Sequence, residues 1–259
     1  MDGQKKVGLA LGAGGARGMC HLGVLKALKE KNVEVYCVAG SSMGAIAGGL
    51  FAAGVPYEKI DKMAHSVTQR LIGDLHLLPK TRSGLFRGRR VMKAFNGLVG
   101  DLKIEDCPVK YCATAVDIES GKLKILDGGL LKDAMRASSS IPGVFIPWKI
   151  DGRKYIDGGI LCRVPIQQVR DMGADVVIGV DALGPVRKKF AQQGVVAMLE
   201  RFFDITNWEL SKDKLDADLL ITPDMGHKSG FKFKDHDAAI EAGYKAAKRA
   251  MPKILKLLQ

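Results

Sequence analysis

A serine between two glycines lies at the junction of two apolar segments near residue 40. Gly40-Ser41-Ser42-Met43-Gly44 reads G-x-S-x-G, and it separates the apolar runs Val35–Ala39 and Ala45–Ala53. A sharp strand-to-helix turn of this kind exposes the serine hydroxyl, and only small neighbours fit its strained backbone. The pattern predicts a strand–turn–helix unit with Ser42 as a candidate nucleophile, although glycine-rich turns before helices also form for packing alone.

A second glycine-rich turn follows the first predicted strand. Val7–Leu11 has the pattern of a buried strand, Gly12–Gly18 follows it, and Met19–Leu28 has helical spacing. Free backbone N–H groups in such a loop bind a phosphate or a tetrahedral oxyanion. A dinucleotide site would need G-x-G-x-x-G and an acid at the end of the next strand, but Ala13 occupies the first glycine position and no acid ends that strand. The loop is therefore interpreted as an oxyanion hole serving Ser42, with nucleotide binding as the weaker alternative.

A candidate proton acceptor occurs in Tyr155-Ile156-Asp157-Gly158-Gly159. An aspartate that ends a short strand before two glycines is held on an exposed bend, where it can accept the serine proton. An ordinary turn aspartate has the same pattern. Asp127-Gly128-Gly129 repeats the same letters, and spacing alone does not separate the two.

The coarse order of elements alternates strand and helix. The predicted strands are Val7–Leu11, Val35–Ala39, Val109–Asp117, Lys122–Leu126, Lys154–Asp157, Val176–Asp181 and Asp218–Thr222. The predicted helices are Arg17–Lys31, Met43–Ala53, Arg89–Val99, Leu130–Ala137, Pro165–Met172, Gln192–Lys212 and His236–Leu258. Alternation with buried Val/Ile-rich strands predicts an α/β protein whose mainly parallel sheet is covered on both faces. The prolines and serines of Ser138–Pro147 predict a loop.

The stretch from Val35 to Tyr57 has no charged residue and resembles a membrane span by hydropathy alone. Its five glycines and the pair Ser41-Ser42 instead favour a strand, a tight turn and a closely packed helix. We therefore expect both elements to be buried inside the protein.

The motifs, taken together, are those of a known family. In chain order they read LALGAGGARGMCHLGVLKAL, GSSMGAIAGGLFAAG, SGLFRG, YCATAVDIESGK, AMRASSSIPGVFIPWKIDGRKYIDGG, GADVVIGVD and EAGY. In these motifs the chain resembles bacterial patatin-like phospholipases related to the catalytic domain of neuropathy target esterase. The resemblance covers nearly the whole chain.

The resemblance implies a three-layer α/β/α, patatin-like fold with a mainly parallel central sheet in a single domain, 1–259. It implies a lipid acyl hydrolase for phospholipid or lysophospholipid that needs no metal or other cofactor. Ser42 is the implied nucleophile of a Ser–Asp dyad without histidine, and Asp157, not Asp127, its partner. The implied oxyanion loop is Gly14, Gly15, Ala16 and Arg17, with Gly40 and Gly44 at the nucleophile elbow and Gly158 and Gly159 in the Asp-Gly-Gly motif.

Two residues depart from the family pattern. Ala13 stands where the family usually has glycine, and Arg163 stands where asparagine is usual. A methyl group at position 13 would reshape the oxyanion loop if that position required a positive φ.

Three alternatives remain open from the residues. A Ser–His–Asp triad would use His227 or His236, in the chain order of many hydrolases. A serine acyltransferase, or a non-catalytic lipid-binding or regulatory protein on the same fold, would share the serine turn.

Residues 55–106 fit the alternation of strands and helices least and are interpreted as a cap over an acyl pocket or as a surface insertion.

The net charge of +12 limits the classes of partner that the chain is expected to bind. Aromatic residues make up 6% of the chain and are not interleaved with the basic clusters, so a nucleic-acid surface is not predicted. The lysine-rich end of His236–Leu258 is either a solvated face or a site of peripheral contact with anionic membrane. The segment MDGQKK has no apolar signal pattern and the five cysteines form no C-x-x-C pair, so we expect a cytoplasmic protein, in peripheral contact with the inner membrane surface where it binds lipid. The sequence does not give the oligomeric state.

Overall fold

A computed structural model describes residues 5–70, 84–186, 195–226 and 236–259. The strands are β1 Val7–Leu11, β2 Cys37–Ser41, β3 Gly84–Phe86, β4 Lys110–Asp117, β5 Leu123–Leu126, β6 Gly143–Phe145, β7 Trp148–Ile150, β8 Arg153–Asp157, β9 Val176–Val180 and β10 Leu219–Ile221. The α-helices are α1 Cys20–Glu30, α2 Met43–Ala52, α3 Tyr57–Arg70, α4 Arg89–Val99, α5 Leu131–Ser138, α6 Ile166–Asp171, α7 Val195–Ser211 and α8 His236–Leu258.

The central sheet is mixed and mostly parallel, as the alternation predicts. Its order is β10-β9-β1-β2-β4-β8-β7, and β5 pairs with β4 outside this path. The first five strands in that order are parallel to one another, whereas β5, β7 and β8 form antiparallel pairs. The predicted strands β4 and β5 form an antiparallel hairpin. A separate two-stranded sheet joins β3 to β6.

The register along β4 brings the ends of two strands together. Ala113 pairs with Gly40 of β2 and with β5, so β2 and β5 lie on opposite edges of β4. Ala115 pairs with Asp157 of β8 and also with β5, so β8 lies on the same edge as β2. Because β2 runs parallel and β8 antiparallel to β4, their carboxyl ends meet head to head beside Thr114 and Ala115.

Alternate side chains of the central strands divide the core between the two faces of the sheet. Leu9 and Val38 belong to a large cluster that includes residues of α1, α2, α5 and α8. Ala10 and Ala39 belong to a smaller cluster, which includes Ile166 and Val169 of α6. The three-layer prediction therefore holds with unequal layers, because in the described part of the chain α6 is the only α-helix that contributes to the smaller cluster.

The structure differs from the predicted elements in several places. The predicted first helix begins with a 3-10 turn at Gly15–Met19, and α1 follows it. β2 starts and ends two residues later than predicted. The segment predicted as a loop, Ser138–Pro147, contains the end of α5 and the short strand β6, which forms only by pairing with β3. Residues 55–106 contain α3, β3 and α4, while their central part lies outside the described residues.

The uncharged stretch forms β2, the serine turn and α2 inside the fold. All five residues of β2 and seven of the ten residues of α2 are buried, because β2 is paired on both edges and α2 packs against β2 and β4. Among the described helices, none is both long enough and apolar enough to cross a membrane.

Candidate active site

Ser42 lies at the sharp turn between β2 and α2. Its backbone has φ +55° and ψ −120°, a conformation that costs a non-glycine residue on the order of 1–3 kcal/mol. The turn is tightly packed, because a Cβ on Gly44 would lie 2.1 Å from the carbonyl oxygen of Leu11. A Cβ on Gly40 would lie 2.3 Å from the Cα of Ala45. Both glycines of the G-x-S-x-G pattern therefore permit the close packing that holds Ser42 at the N-terminus of α2.

The structure brings Ser42 and Asp157 into contact. The Ser42 hydroxyl donates to Oδ2 of Asp157 at 2.6 Å, and both residues are buried. The backbone N–H of Gly159 donates to the other carboxylate oxygen at 2.8 Å. Burial raises the pKa of Asp157 to about 7, although both hydrogen bonds oppose that rise. A carboxyl group with a pKa near neutrality can accept a proton at neutral pH and return it.

Asp127, the alternative to Asp157 in the sequence, does not lie beside Ser42. Asp127 directly follows β5, on the edge of β4 opposite β2 and β8, and it is exposed. The described hydrogen bonds to the Asp157 carboxylate come from Ser42 and Gly159, and none comes from a histidine. Of the two histidines considered for a triad, His227 lies outside the described residues and His236 begins α8.

The first glycine-rich loop provides free hydrogen-bond donors beside Ser42. In the described part of the chain, the backbone N–H groups of Gly14, Gly15 and Ala16 donate to no protein acceptor. The N–H of Arg17 donates to the Gly14 carbonyl at 3.0 Å, so it is engaged within the loop. Of the four residues implied as the oxyanion loop, three therefore have N–H groups without a protein acceptor, and two of these, Gly14 and Gly15, line the cavity described below.

Ala13 causes no backbone strain in the loop. The positive φ falls on Gly15 (+53°), and Ala13 is not among the described residues with a positive φ. Its N–H donates to the carbonyl of Arg163 at 2.8 Å. The Arg163 guanidinium is buried and binds both carboxylate oxygens of Asp181, at 2.9 and 2.8 Å. Arg163, the second departure from the family pattern, thus fastens the first glycine-rich loop to the end of β9.

The end of α5 supports both members of the pair, which the sequence analysis did not predict. Ser138 accepts a hydrogen bond from the Ser42 N–H at 2.9 Å, and the Ser140 carbonyl accepts one from the Asp157 N–H at 3.0 Å. Buried Arg136 donates to the Ser140 hydroxyl at 2.7 Å. The run of three serines was the available signal, but a serine run equally indicates an exposed loop.

A largely apolar cavity opens over this pair. Its described lining comprises Ala13, Gly14, Gly15, Arg17, Ser42, Ile141, Pro142, Asp157, Gly159, Ile160, Leu183, Phe203, Asp204 and Asn207. Helix α7 contributes the last three of these, and no described residue of 55–106 is among them. The cap role of 55–106 stays a prediction, because residues 71–83 lie outside the described ranges. In those ranges no three His, Cys, Asp or Glu side chains come together as a metal site.

Comparison with known proteins agrees with this arrangement of motifs. The sequence model described as patatin-like phospholipase matches residues 9–170. The chain belongs to this family. An uncharacterized NTE family protein of Mycobacterium tuberculosis is 43% identical over 184 residues, which cover 69% of this chain and 49% of that protein. Lysophospholipase NTE1 of Saccharomyces cerevisiae is 33% identical over 183 residues, covering 68% of this chain and 11% of the yeast protein. The chain thus spans at most about half the length of these relatives.

Solved structures support the patatin fold. VipD from Legionella pneumophila has a TM-score of 0.57 at 13% identity, covering 96% of this chain and 67% of that one. ExoU of Pseudomonas aeruginosa, in its complex with SpcU, has a TM-score of 0.53 at 17% identity, covering 99% of this chain and 52% of that one. At such low identity the likeness concerns the fold alone.

Proposed function

We propose that this protein is a serine acyl hydrolase that releases a fatty acid from phospholipid or lysophospholipid. The observation that carries the proposal is the buried 2.6 Å hydrogen bond from the Ser42 hydroxyl to Asp157. Family membership and the lysophospholipase among the relatives support a lipid substrate. The apolar walls of the cavity, including Ile141, Ile160 and Phe203, suit an acyl chain.

In the proposed first step, Oγ of Ser42 attacks the carbonyl carbon of the ester and its proton passes to Oδ2 of Asp157. The carbonyl oxygen becomes an oxyanion, which the N–H groups of Gly14, Gly15 and Ala16 stabilise. The positive end of the α2 dipole also favours negative charge at this position. When the intermediate collapses, the C–O bond to the alcohol breaks, and the alcohol leaves with the proton from Asp157.

In the second step, water attacks the acyl-enzyme and gives a proton to Asp157. Collapse of the second oxyanion breaks the bond to Oγ, which recovers the proton, and the fatty acid leaves. One carboxyl group thus acts alternately as base and acid. A pKa of about 7 suits this alternation, because neither protonation state is strongly disfavoured at neutral pH.

Labelling with a fluorophosphonate probe tests the proposal. The probe is expected to label the native protein and not Ser42→Ala. Ser41→Ala is the matched control: Ser41 is the neighbouring buried serine, and its hydroxyl has no hydrogen-bond partner among the described residues. That variant should keep both the label and activity on a soluble p-nitrophenyl ester. An unlabelled native protein would instead favour a lipid-binding protein without catalysis, and acyl transfer to an added alcohol or thiol in preference to water would favour an acyltransferase.

A further inference from the structure

Helix α7 forms part of the wall of the cavity. Phe203, Asp204 and Asn207 on one side of the helix line the cavity. Asp204 also binds the buried guanidinium of Arg17, at 2.7 Å and 3.3 Å, and so ties α7 to the oxyanion loop. The helix contacts the turn Gly158–Ile160 that follows Asp157. One face of α7 therefore belongs to the candidate active site.

The opposite face of α7 carries three exposed apolar side chains. Met198, Phe202 and Ile205 are spaced by four and three residues, which places them on one side of a helix. Their exposed fractions are 60%, 59% and 44%. We call these three residues the outer stripe. Phe203, which lines the cavity, lies edge to face against Phe202 at 5.8 Å between ring centroids, so the stripe is continuous with the cavity wall.

The stripe is a concentration of apolar surface rather than scattered single residues. Seven large hydrophobic side chains are exposed in the part of the chain whose burial the structure describes, and four of them, the stripe and Leu210, are on α7. A fifth, Leu161, follows the turn that α7 contacts. Isolated exposed apolar residues need no explanation, whereas a contiguous group beside a cavity marks an interaction surface.

We propose that the outer stripe of α7 docks on the surface of a lipid bilayer and places the bilayer beside the entrance to the cavity. This inference rests on the proposed function, because a lipid hydrolase must take its substrate from an aggregate. An amphipathic helix that lies in the interface plane inserts its apolar face at the boundary of headgroups and acyl chains. Phe203 and Phe202 then form a continuous apolar path from that boundary to the cavity.

The size and charge of the surface favour lipid over a second copy of the chain. The stripe offers roughly 330 Å² of surface, taking about 200 Å² for each fully exposed large side chain, and this is less than half of what one partner buries in a stable protein interface. The net charge of +12 attracts the protein to anionic headgroups. Of the acidic side chains on α7 that the structure describes, Asp204 is bound to Arg17, and Glu209, which shares the stripe's face, is bound to Lys212 at 2.7 Å.

Vesicle sedimentation tests the docking. The probes are vesicles of phosphatidylcholine alone and of phosphatidylcholine mixed with phosphatidylglycerol. Met198→Asp and Ile205→Asp are each expected to lower the partition coefficient at least tenfold on both vesicle types. Leu255→Asp is the matched control, because it makes the same change at an exposed apolar position, 42% exposed, on the lysine-rich helix α8. That variant should stay within about twofold of the native protein, since the apolar contact is made by α7.

Three results would overturn the inference. The native protein could fail to sediment with either vesicle, or the stripe variants could sediment like the native protein. A loss in Leu255→Asp equal to that in the stripe variants would assign docking to α8. If light scattering showed a native dimer that the stripe variants dissociate, the surface would belong to a second copy.

Activity in the same samples separates this inference from the proposed function. The ratio of the rate on vesicles to the rate on a soluble ester should fall in the stripe variants, because only the first substrate requires docking. Loss of Ser42 labelling in every sample, with stripe-dependent vesicle binding retained, would reject the hydrolase and leave a lipid-docking protein. Labelled Ser42 with stripe-independent binding would reject the docking and retain the hydrolase.

Discussion

Replacement of Asp157 by asparagine tests the electrostatic basis of the proposed dyad. The carboxylate accepts one hydrogen bond from Ser42 and one from the N–H of Gly159. An asparagine in the same place can accept from Gly159 through its amide oxygen and donate to Ser42 Oγ through its amide nitrogen, since a hydroxyl also accepts. The substitution therefore fits the buried site, while the serine loses its proton acceptor.

The stability of the native protein should depend on pH in a way that the variant lacks. An aspartate with an ordinary pKa of 3.8 in the unfolded chain has a pKa of about 7 in the folded protein. Between these values folding takes up a proton, so stability falls as pH rises from about 4 to about 7 and then levels off. The difference between the two pKa values corresponds to on the order of 4 kcal/mol. Because asparagine does not titrate, Asp157→Asn should gain stability over the native protein by up to that amount as pH rises.

Urea denaturation of both proteins at a series of pH values between 4 and 8 measures this gain. Native activity on a soluble ester should rise with pH to about 7 and then level off, since only the ionised carboxylate accepts the serine proton. The variant should lose at least about a thousandfold of that activity, because its serine has no base. Unfolding free energies that run parallel in the two proteins across the whole pH range would refute the reasoning.

Three further substitutions test the surroundings of the pair. Ser138→Ala removes the acceptor of the Ser42 N–H and should lower the free energy of unfolding by about 1–3 kcal/mol in urea titrations; no change would show that the bond does not support the turn. Ala13→Gly relieves no strain, so it should not raise kcat/KM on a soluble ester, and should lower stability by up to about 1 kcal/mol; a severalfold faster enzyme would contradict this. Asp204→Asn weakens the partly buried pair with Arg17 and should lower the free energy of unfolding by about 1–3 kcal/mol. Glu209→Gln, which weakens an exposed pair on the same helix, should lower it by at most about 1 kcal/mol. Equal losses in the two variants would show that the pair with Arg17 does not anchor α7.

The regular part of the fold could be predicted from the sequence because local pattern and tertiary structure agree there. The predicted bounds of β1, α4 and α8 are those of the structure. The strand β2 ends two residues later than predicted, because its pairing with β4 continues through Gly40 and Ser41. Local preference places these two residues in a turn. The strand β6 has three residues and pairs with the distant strand β3, which no local pattern reveals. The strand β7 pairs with the next strand, β8, across the two-residue turn Asp151-Gly152, a local hairpin signal that the sequence analysis did not use.

The two proposed catalytic residues were easier to predict than the residues that hold them in place. Ser42 and Asp157 lie in recognisable turns, so sequence motifs could nominate both. The contacts of Arg163 with Asp181 and of Arg17 with Asp204 join residues 18 and 187 positions apart, and each partner is an ordinary acidic residue in sequence. Their contribution depends on burial and orientation, which the residue types alone do not determine. The same holds for α7, which was predicted as a helix but not as a wall of the cavity.

The separation of Ser42 and Asp157 is set by residues that take no part in the chemistry. The two lie 115 positions apart in the chain and meet because β2 and β8 end head to head on one edge of β4. A slip of one residue in either register would move a strand end by about 3.3 Å, and the 2.6 Å hydrogen bond would be lost. It would also turn every side chain of that strand to the other face of the sheet, into the wrong core cluster. The same packing that separates the two core clusters therefore fixes the distance across which the proposed proton transfer occurs.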